Sequence, residues 1–376
     1  MQTVDAAGLG IGDDQPTRIM GVLNVSSESP YKPSVFDDPG AAAEYVDREL
    51  VDQGADIVDV GLESANKRFE VMSAEAELER LDTALETIAS VSGDAVFSIE
   101  TRYHEVADAA LDGGFDMVND ICGFADPEMP RVCEAHDAAV VKMASPPDLE
   151  RPGAIEDVDD IYDALARNGL TDKTIVDPAF GGWSEAKTLE DDRETFERLR
   201  EFRGYGQPIL VSINRKNFLR ELAGRSTEAA LPVSLAATAM AVERGAHVVR
   251  THDVAETLDA TPVGDRFTRD RFRDTDAGVE ELDVTTPREV ARHLDRTGAD
   301  GDPEDGVTRV FEFSGLSAAA ADALESLAAA HDGVTVAVGP DGTLLFGSVA
   351  ALRRLARDDV PDVLDARLAA IRAALA

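Results

Sequence analysis

The chain has 376 residues, of which 44% are hydrophobic and 29% are charged, a composition typical of a folded globular protein. Its length predicts one large domain and one small one. The formal net charge of -38 disfavours nucleic acid as a partner, because a phosphate backbone would be repelled. No apolar run reaches the roughly 18 residues of a membrane span. Met1–Gln15 lacks the basic start and apolar stretch of a signal peptide, so we expect a cytoplasmic protein that does not contact a membrane.

The acidic residues are spread along the whole chain rather than gathered in a tail. Among the basic residues, six are lysines and thirty are arginines. At 1 M salt the Debye length is roughly 3 Å, which screens the self-repulsion of such a surface while its charge keeps the protein soluble. The charge pattern therefore indicates a halophilic protein. Cys122 and Cys133 have no metal-binding or redox spacing, and we interpret both as reduced packing residues.

Short apolar runs alternate with amphipathic segments along the first two thirds of the chain, a pattern that favours a parallel sheet with crossover helices. Eight runs are predicted as strands: Arg18–Val25, Asp56–Gly61, Ala95–Thr101, Met117–Ile121, Ala139–Ala144, Thr174–Ala179, Pro208–Asn214 and His247–Asp253. The helices predicted between them include Ala41–Gln53, Ala74–Val91, His104–Asp112 and Glu228–Arg244. Eight such repeats are typical of a closed (β/α)8 TIM barrel.

A doubly wound open sheet is the alternative architecture, and it would place a Gly-rich phosphate turn after the first strand. No such turn follows Val25. Instead, nearly every predicted strand ends in polar residues, and in a barrel these ends meet on the face where active sites are built. They are Asn24, Asp59, Glu63, Glu100, Thr101, Asn119, Asp120, Asp177, Asn214, Lys216, Arg250, His252 and Asp253.

The pattern weakens after Ala260, and Thr261–Asp283 is interpreted as a linker with local order. A second pattern of short helices and strands follows, with a hairpin at Gly339-Pro340-Asp341-Gly342, and predicts a small α/β domain. The predicted division is an N-terminal extension at 1–17, a barrel at 18–265, a linker at 266–285 and the small domain at 286–376.

The motifs at the strand ends are recognisable as a set. They are Ile19-Met20-Gly21-Val22-Leu23-Asn24-Val25, Asp59-Val60-Gly61-Leu62-Glu63-Ser64, Ser98-Ile99-Glu100-Thr101, Val118-Asn119-Asp120, Asp177-Pro178-Ala179-Phe180-Gly181, Asn214-Arg215-Lys216 and Arg250-Thr251-His252-Asp253-Val254. In order and position they resemble the strand ends of the dihydropteroate synthases, which are pterin-binding TIM barrels. The resemblance covers residues 18 to 260, and the high-salt composition suggests a halophilic archaeal variant with a C-terminal extension.

The resemblance implies a transferase of folate biosynthesis. Such an enzyme joins a dihydropterin bearing a methylene diphosphate to 4-aminobenzoate, releasing pyrophosphate and forming dihydropteroate. Asn119 and Asp177 would bind the pterin edge as a paired donor and acceptor, and Asp177 would also be a catalytic residue. Glu100 would stand beside the ring and stabilise developing positive charge, and Lys216 would lie near the ring as a further catalytic residue.

The same resemblance implies that Arg250 and His252 bind the diphosphate and that Asn24 helps bind Mg²⁺. It also implies a homodimer formed through barrel helices. Because lysine is otherwise scarce, we hypothesise that Lys67, together with Lys32 and Arg68, contributes to the diphosphate site.

Three loops depart from the family pattern. The loop after the first predicted strand reads Glu28-Ser29-Pro30-Tyr31-Lys32-Pro33-Ser34, and the loop after the second has Ala65-Asn66-Lys67-Arg68. The loop after the fifth predicted strand lacks the His-Met segment of the family. Glu100 also replaces an aspartate. Two alternatives therefore stay open: a methyltransferase-like pterin barrel, against which the anion-binding residues argue, and a non-catalytic pterin-binding paralogue.

Overall fold

A computed structural model describes residues 1–26, 32–64, 71–181, 184, 186–274, 276–357 and 362–375. The chain divides into two compact units, Met1–Asp270 and Arg271–Ala376. Within the described residues, no helix has the length and apolar character that crossing a membrane requires.

The first unit begins with a hairpin and continues with eight parallel strands. The hairpin strands are β1 (Val4–Ala6) and β2 (Leu9–Ile11). The parallel strands are β3 (Arg18–Asn24), β4 (Ile57–Gly61), β5 (Val96–Thr101), β6 (Met117–Asp120), β7 (Ala139–Met143), β8 (Thr174–Asp177), β9 (Leu210–Val211) and β10 (Val248–Thr251).

Each parallel strand pairs with the next along the chain from β3 to β8, and β10 lies between β9 and β3. A parallel bridge between Val176 and Ile209 joins β8 to β9 and closes the ring. This closure confirms the predicted barrel and excludes the open doubly wound sheet. All eight predicted strands form, although the seventh, β9, spans only two residues.

Nine helices described in this unit follow or separate the strands. They are α1 (Pro39–Tyr45), α2 (Ala74–Ser90), α3 (His104–Gly113), α4 (Met129–Ala135), α5 (Val158–Ala166), α6 (Leu189–Glu197), α7 (Asn217–Ala223), α8 (Leu231–Glu243) and α9 (Val254–Phe267). A π-helical stretch at Val46–Val51 continues α1. Several start at a side-chain cap, as where Ser73 accepts a hydrogen bond from Ala76 N at the start of α2.

Helix α9 extends to Phe267, beyond Ala260, where the helical pattern of the sequence weakens. Pro262 lies inside the helix and obscures the signal. The helix persists because it packs closely on α8: a Cβ added at Gly264 would lie 2.5 Å from the carbonyl oxygen of Ala239. Helix packing therefore outweighs local propensity here.

Successive side chains along every strand point alternately into the barrel and toward its outer surface, as the two-residue period of a strand requires. Outward-facing residues such as Val58, Val60 and Ile99 pack against the surrounding helices. Inward-facing residues in the lower barrel form a separate apolar cluster with the N-terminal hairpin. That cluster is Val4, Ala6, Ile11, Met20, Ile57, Val96, Met117, Ala139, Val141, Ile175, Leu210 and Val248. The hairpin thus closes the amino-terminal end of the barrel.

The second unit is a small α/β fold, as predicted. Its elements are β11 (Arg273–Asp274), β12 (Val279–Glu280), α10 (Pro287–Thr297), β13 (Thr308–Phe313), α11 (Ala318–Ala329), β14 (Val334–Val338), β15 (Thr343–Ser348), α12 (Val349–Arg357) and α13 (Asp365–Ala374). Strand β15 lies between β13 and β14 in an antiparallel sheet. Its core contains Phe313, Leu324, Leu345, Leu352 and Leu368. Helix α13 was not predicted from the sequence.

A buried ion pair fixes the segment between the hairpin and the barrel. Asp13 accepts hydrogen bonds from Arg203 Nη2 at 2.8 Å and from His247 Nε2 at 2.9 Å. His247 Nδ1 in turn accepts from the backbone N of Ile209 at 3.0 Å, so Nε2 carries the proton. Although burial acts to raise it, the bonds and charges of His247 and Arg203 hold the pKa of Asp13 well below its usual range.

We expect Asp13→Asn to lower the free energy of unfolding at pH 7 by about 3 kcal/mol, because Arg203 would keep a buried charge without its carboxylate. The folded-state pKa of Asp13 lies below the unfolded value of 3.8, so its contribution is present above that pH and is lost as pH falls below it. Urea unfolding at pH 7 and at acid pH measures both effects. Asp14→Asn, at an exposed neighbour, is the control, and equal stability of the two variants at pH 7 would contradict the assignment.

Candidate active site

The carboxyl ends of the barrel strands bring most of the predicted site residues together. The strand register places Asn24, Gly61, Glu100 and Asn119 side by side on β3, β4, β5 and β6. Asp177 ends β8, and Arg250 lies near the end of β10. Polar side chains that are far apart in sequence thus surround one mouth of the barrel.

Asp59, an inward-facing residue of β4, is fully buried at the centre of this cluster. Its Oδ1 accepts a hydrogen bond from Ser98 Oγ at 2.8 Å. Its Oδ2 accepts from Asn119 Nδ2 at 2.9 Å and from Arg250 Nε at 2.7 Å. One carboxylate on β4 therefore links side chains of β5, β6 and β10.

Arg250 also donates from Nη2 to Glu100 Oε2 at 2.6 Å, so its guanidinium bridges two carboxylates. Burial and the neighbouring Asp59 raise the pKa of Glu100, while Arg250 opposes the shift. Although burial disfavours its charge, Asp59 and Glu100 raise the pKa of Arg250, which therefore stays cationic. The cluster can hold an anion at the arginine and a cation near Glu100.

Asp177 lies at the end of β8 with only 4% of its surface exposed. Burial raises its pKa to about 6, although Lys216 and Arg250 favour the charged form. Its Oδ1 accepts from the backbone N of Ala179 at 2.8 Å, which fixes the carboxyl group. Asp177 is therefore an acceptor of hydrogen bonds at neutral pH and becomes a donor in mild acid.

Two lysines hold the loop after β8. Lys216 donates to the carbonyl of Phe180 at 2.7 Å, and Lys187 donates to the carbonyl of Ala179 at 2.9 Å. Lys187 also lies 3.4 Å from Asp192, and both side chains are buried. Ala179 has a positive φ of 61°, a conformation that glycine adopts more easily. Burial lowers the pKa of Lys216, so this lysine loses its proton more readily than an exposed one.

The loop after β9 is tied to the end of β10. Arg215 forms a two-point contact with Asp253, with both N–O distances at 2.8 Å. Asn214 Nδ2 donates to Thr251 Oγ1 and to Asp253 Oδ2, each at 2.9 Å. His252, which lies between Thr251 and Asp253, is a predicted diphosphate ligand. Burial, reinforced by nearby Arg250, lowers its pKa to about 4, so it would act as a neutral imidazole.

Asn24 presents an oxygen atom to the mouth of the barrel. Its Nδ2 donates to Ser34 Oγ at 2.8 Å, which directs Oδ1 away from that bond. A Cβ placed on Gly61 would lie 3.5 Å from Asn24 Oδ1 and 3.6 Å from Glu100 Oε1, so both oxygens border the space above this glycine. Oxygen donors of this kind suit Mg²⁺, and the predicted metal ligand fits such an ion.

Part of the predicted anion site lies outside the described residues. Lys67 and Arg68 fall in the segment 65–70, which the structure does not describe, and the side chain of Lys32 is likewise not described. The hypothesis that these residues hold the diphosphate stays a prediction.

Sequence reasoning gave no role to three residues that shape the site. Asp59 was noted only as a polar strand residue, and Lys187 lies in a loop without a motif. Arg102 directly follows β5 and is only 2% exposed. It donates to Glu63 Oε2 at 2.8 Å and to the carbonyl of Leu149 at 2.6 Å. An arginine directly after a strand end was the available signal for Arg102.

Comparison with known proteins agrees with this geometry. Residues 20–252 match the family model described as pterin binding enzyme. A probable bifunctional folylpolyglutamate synthase/dihydropteroate synthase of Haloferax volcanii is 36% identical over 276 residues, which are 69% of this chain and 32% of that protein. A dihydropteroate synthase of Clostridium beijerinckii is 31% identical over 260 residues, covering 67% of this chain and 95% of that protein.

Among solved structures, the dihydropteroate synthase of Xanthomonas albilineans with 4-aminobenzoic acid is 30% identical, with a TM-score of 0.58. The match covers 69% of this chain and 96% of that one. The chain spans only 32% of the length of the two bifunctional relatives, from Haloferax volcanii and Halobacterium salinarum. It spans nearly all of the single-function relative and of the solved structure. The chain belongs to the pterin-binding enzyme family that includes the dihydropteroate synthases.

Proposed function

We propose that the chain is a dihydropteroate synthase, a transferase of folate biosynthesis. It would join (7,8-dihydropterin-6-yl)methyl diphosphate to 4-aminobenzoate, with release of pyrophosphate. The observation that carries the proposal is the meeting of Glu100, Asn119, Asp177, Lys216 and Arg250 at one barrel mouth, in a chain that matches the pterin-binding family model.

The pterin edge would lie against Asp177 and Asn119. The amino and ring N–H groups of a pterin are donors, and an ionised carboxylate accepts two of them side by side. Asn119 Nδ2 already donates to Asp59, so its Oδ1 would meet the ligand. The resemblance implied an acceptor paired with a donor at this edge, whereas this hydrogen bond leaves two acceptors.

Positive charge develops on the pterin methylene as pyrophosphate departs. Glu100 lies beside Arg250 and would stabilise that charge electrostatically. Arg250 would bind the departing diphosphate. Its hydrogen bonds to the carboxylates of Asp59 and Glu100 keep it positively charged, and its fork of N–H donors matches phosphate oxygens. His252 would donate as a neutral group, and Lys67 is retained in the anion site as part of the proposal.

Mg²⁺ would be held by Asn24 Oδ1 and by oxygens of the diphosphate. When bound, the ion supplies charge neutralisation of the leaving group. The support for this assignment is the hydrogen bond to Ser34, which turns the amide oxygen of Asn24 toward the mouth.

We also propose that the protein works in a salt-rich cytoplasm and as a homodimer. The net charge of -38 supports the first part, as do two buried cysteines that are free thiols. For the second, Leu231 to Val242 of α8 contains no charged residue, and Met240 is 47% exposed. Phe267 on α9 is 77% exposed, and apolar side chains of this size are common in subunit interfaces.

The division into extension 1–17, barrel 18–265, linker 266–285 and C-terminal domain 286–376 is part of the same proposal. Its support is the separation of the chain into compact units at Asp270.

The activity is tested with purified protein in molar KCl with Mg²⁺, the pterin diphosphate and 4-aminobenzoate. We expect pyrophosphate and dihydropteroate in equal amounts, with both lost in Asp177→Ala. Asp163→Ala, an exposed aspartate of α5, is the matched control and should keep wild-type rates. Pterin binding without either product would instead indicate the non-catalytic paralogue.

Pterin binding should strengthen with pH. With the pKa of Asp177 near 6, its ionised fraction rises about tenfold between pH 5 and pH 7, and only the ionised form accepts both donors of the pterin edge. Titration calorimetry at several pH values measures the change in Kd. Asp177→Asn should bind the pterin weakly at every pH. A wild-type Kd that does not change with pH would count against this role of Asp177.

Stability should rise with salt. We expect the free energy of unfolding to increase between 0.1 M and 2 M KCl, because the ions screen repulsion among the acidic side chains. Urea unfolding at each salt concentration measures it. A midpoint that is constant or falls with KCl would refute salt adaptation.

The dimer is tested by light scattering in molar KCl. We expect about twice the chain mass of 40.1 kDa for the wild type, and a monomer for Met240→Glu, because a buried charge at an apolar interface is unfavourable. Val338→Glu, at a half-exposed residue of the second unit, should remain dimeric. A monomeric wild type would rule out the proposal.

A further inference from the structure

Asp59 lies one layer deeper in the barrel than Glu100 and Asn119, two of the residues assigned to ligand binding. It has no exposed surface, and it faces the barrel interior one layer below Gly61. It is hydrogen-bonded to Asn119, assigned above to the pterin edge, and to Arg250, assigned to the diphosphate. The two recognition residues therefore share one buried anchor.

The bond to Asn119 fixes which way its amide faces. An ionised carboxylate can only accept hydrogen bonds, so the atom of Asn119 that lies 2.9 Å from Asp59 Oδ2 must be the NH₂ nitrogen. Reversing the amide would place two oxygens against each other in a buried site, which is strongly unfavourable. The amide oxygen is thus the atom available to a ligand.

The bond to Arg250 fixes the direction of its fork. Nε is occupied by Asp59 and Nη2 by Glu100, at 2.7 Å and 2.6 Å. The two contacts occupy one edge of the guanidinium, so that the N–H groups of Nη1 and the second N–H of Nη2 are the donors left for phosphate oxygens. Ser98 completes the anchor by donating to the other oxygen of Asp59.

We propose that Asp59 is a positioning residue that sets the hydrogen-bonding polarity of the pocket wall, making Asn119 an acceptor and aiming the Arg250 fork. The inference rests on the proposed pterin-binding function. Its consequence is selectivity: the pocket favours a ring that carries an amino group at its edge over a ring of the same shape that carries a carbonyl there. Without Asp59, the Asn119 amide can turn and accept either ligand.

The test compares direct binding of a pterin and its 2-oxo counterpart by titration calorimetry. The wild type should prefer the 2-amino compound, and Asp59→Ala should lose up to about tenfold of that preference, in line with the net contribution of one hydrogen bond between neutral groups. Asp59→Leu, which has nearly the shape of aspartate, should behave in the same way if the alanine variant folds poorly.

Two matched variants separate positioning from general damage. Ser98→Ala removes one bond to Asp59 but spares those to Asn119 and Arg250, so the preference should stay within about twofold of wild type. Asp59→Asn should also keep it, because the amide oxygen can accept from Asn119 while Ser98 turns its hydroxyl to accept. Undiminished selectivity in both Asp59→Ala and Asp59→Leu, or an equal loss in Ser98→Ala, would overturn the proposal.

A ligand-independent readout distinguishes this proposal from the proposed function. In ¹⁵N NMR spectra, one side-chain NH₂ proton of Asn119 should be shifted downfield in the wild type, and the shift should disappear in Asp59→Leu. If the shift is present but no pterin binds, the function is wrong and the positioning stands. If pterin binds but the Asn119 signal is the same with and without Asp59, the positioning is wrong.

Discussion

Charged groups buried at the barrel mouth can exist only in pairs, because removing an isolated ion from water costs several kcal/mol. Asp59 is fully buried, and its contacts with Arg250 and Asn119 meet that requirement. The pairing dictates where each side chain lies: Arg250 must bridge Asp59 and Glu100, and Asn119 must turn its nitrogen inward. The geometry that would recognise a pterin diphosphate thus follows from compensation of charge within the protein.

The same requirement operates at the opposite end of the barrel. Asp13 is paired with Arg203 and His247, and this pairing fixes the chain between the hairpin and the first barrel strand. Between the two polar layers lies the apolar cluster that includes Met20 and Ile57. The barrel is thus apolar in its lower interior and charged at the mouth, where a polar ligand could be bound.

The barrel could be predicted because the two-residue period of buried strands and the polar residues at their ends are local signals. Asn24, Glu100, Asn119 and Asp177 were recognised in this way as polar strand ends, and the structure brings them to one mouth. Their roles were inferred from the family resemblance. The role of Asp59 was hidden because its partners are 39 to 191 residues away, so only the closed barrel reveals them. Helix α9 was underestimated for a similar reason: its last turns depend on the close approach of Gly264 to α8.

A crystal structure of the protein soaked with the dihydropterin diphosphate and Mg²⁺ would show directly which residues bind each part of the ligand. We expect the pterin edge within hydrogen-bond distance of Asp177 and of the Asn119 oxygen, with the diphosphate at Arg250. We also expect the magnesium at the oxygen of Asn24. A ligand bound elsewhere, or a pterin reversed so that its diphosphate points away from Arg250, would refute this arrangement.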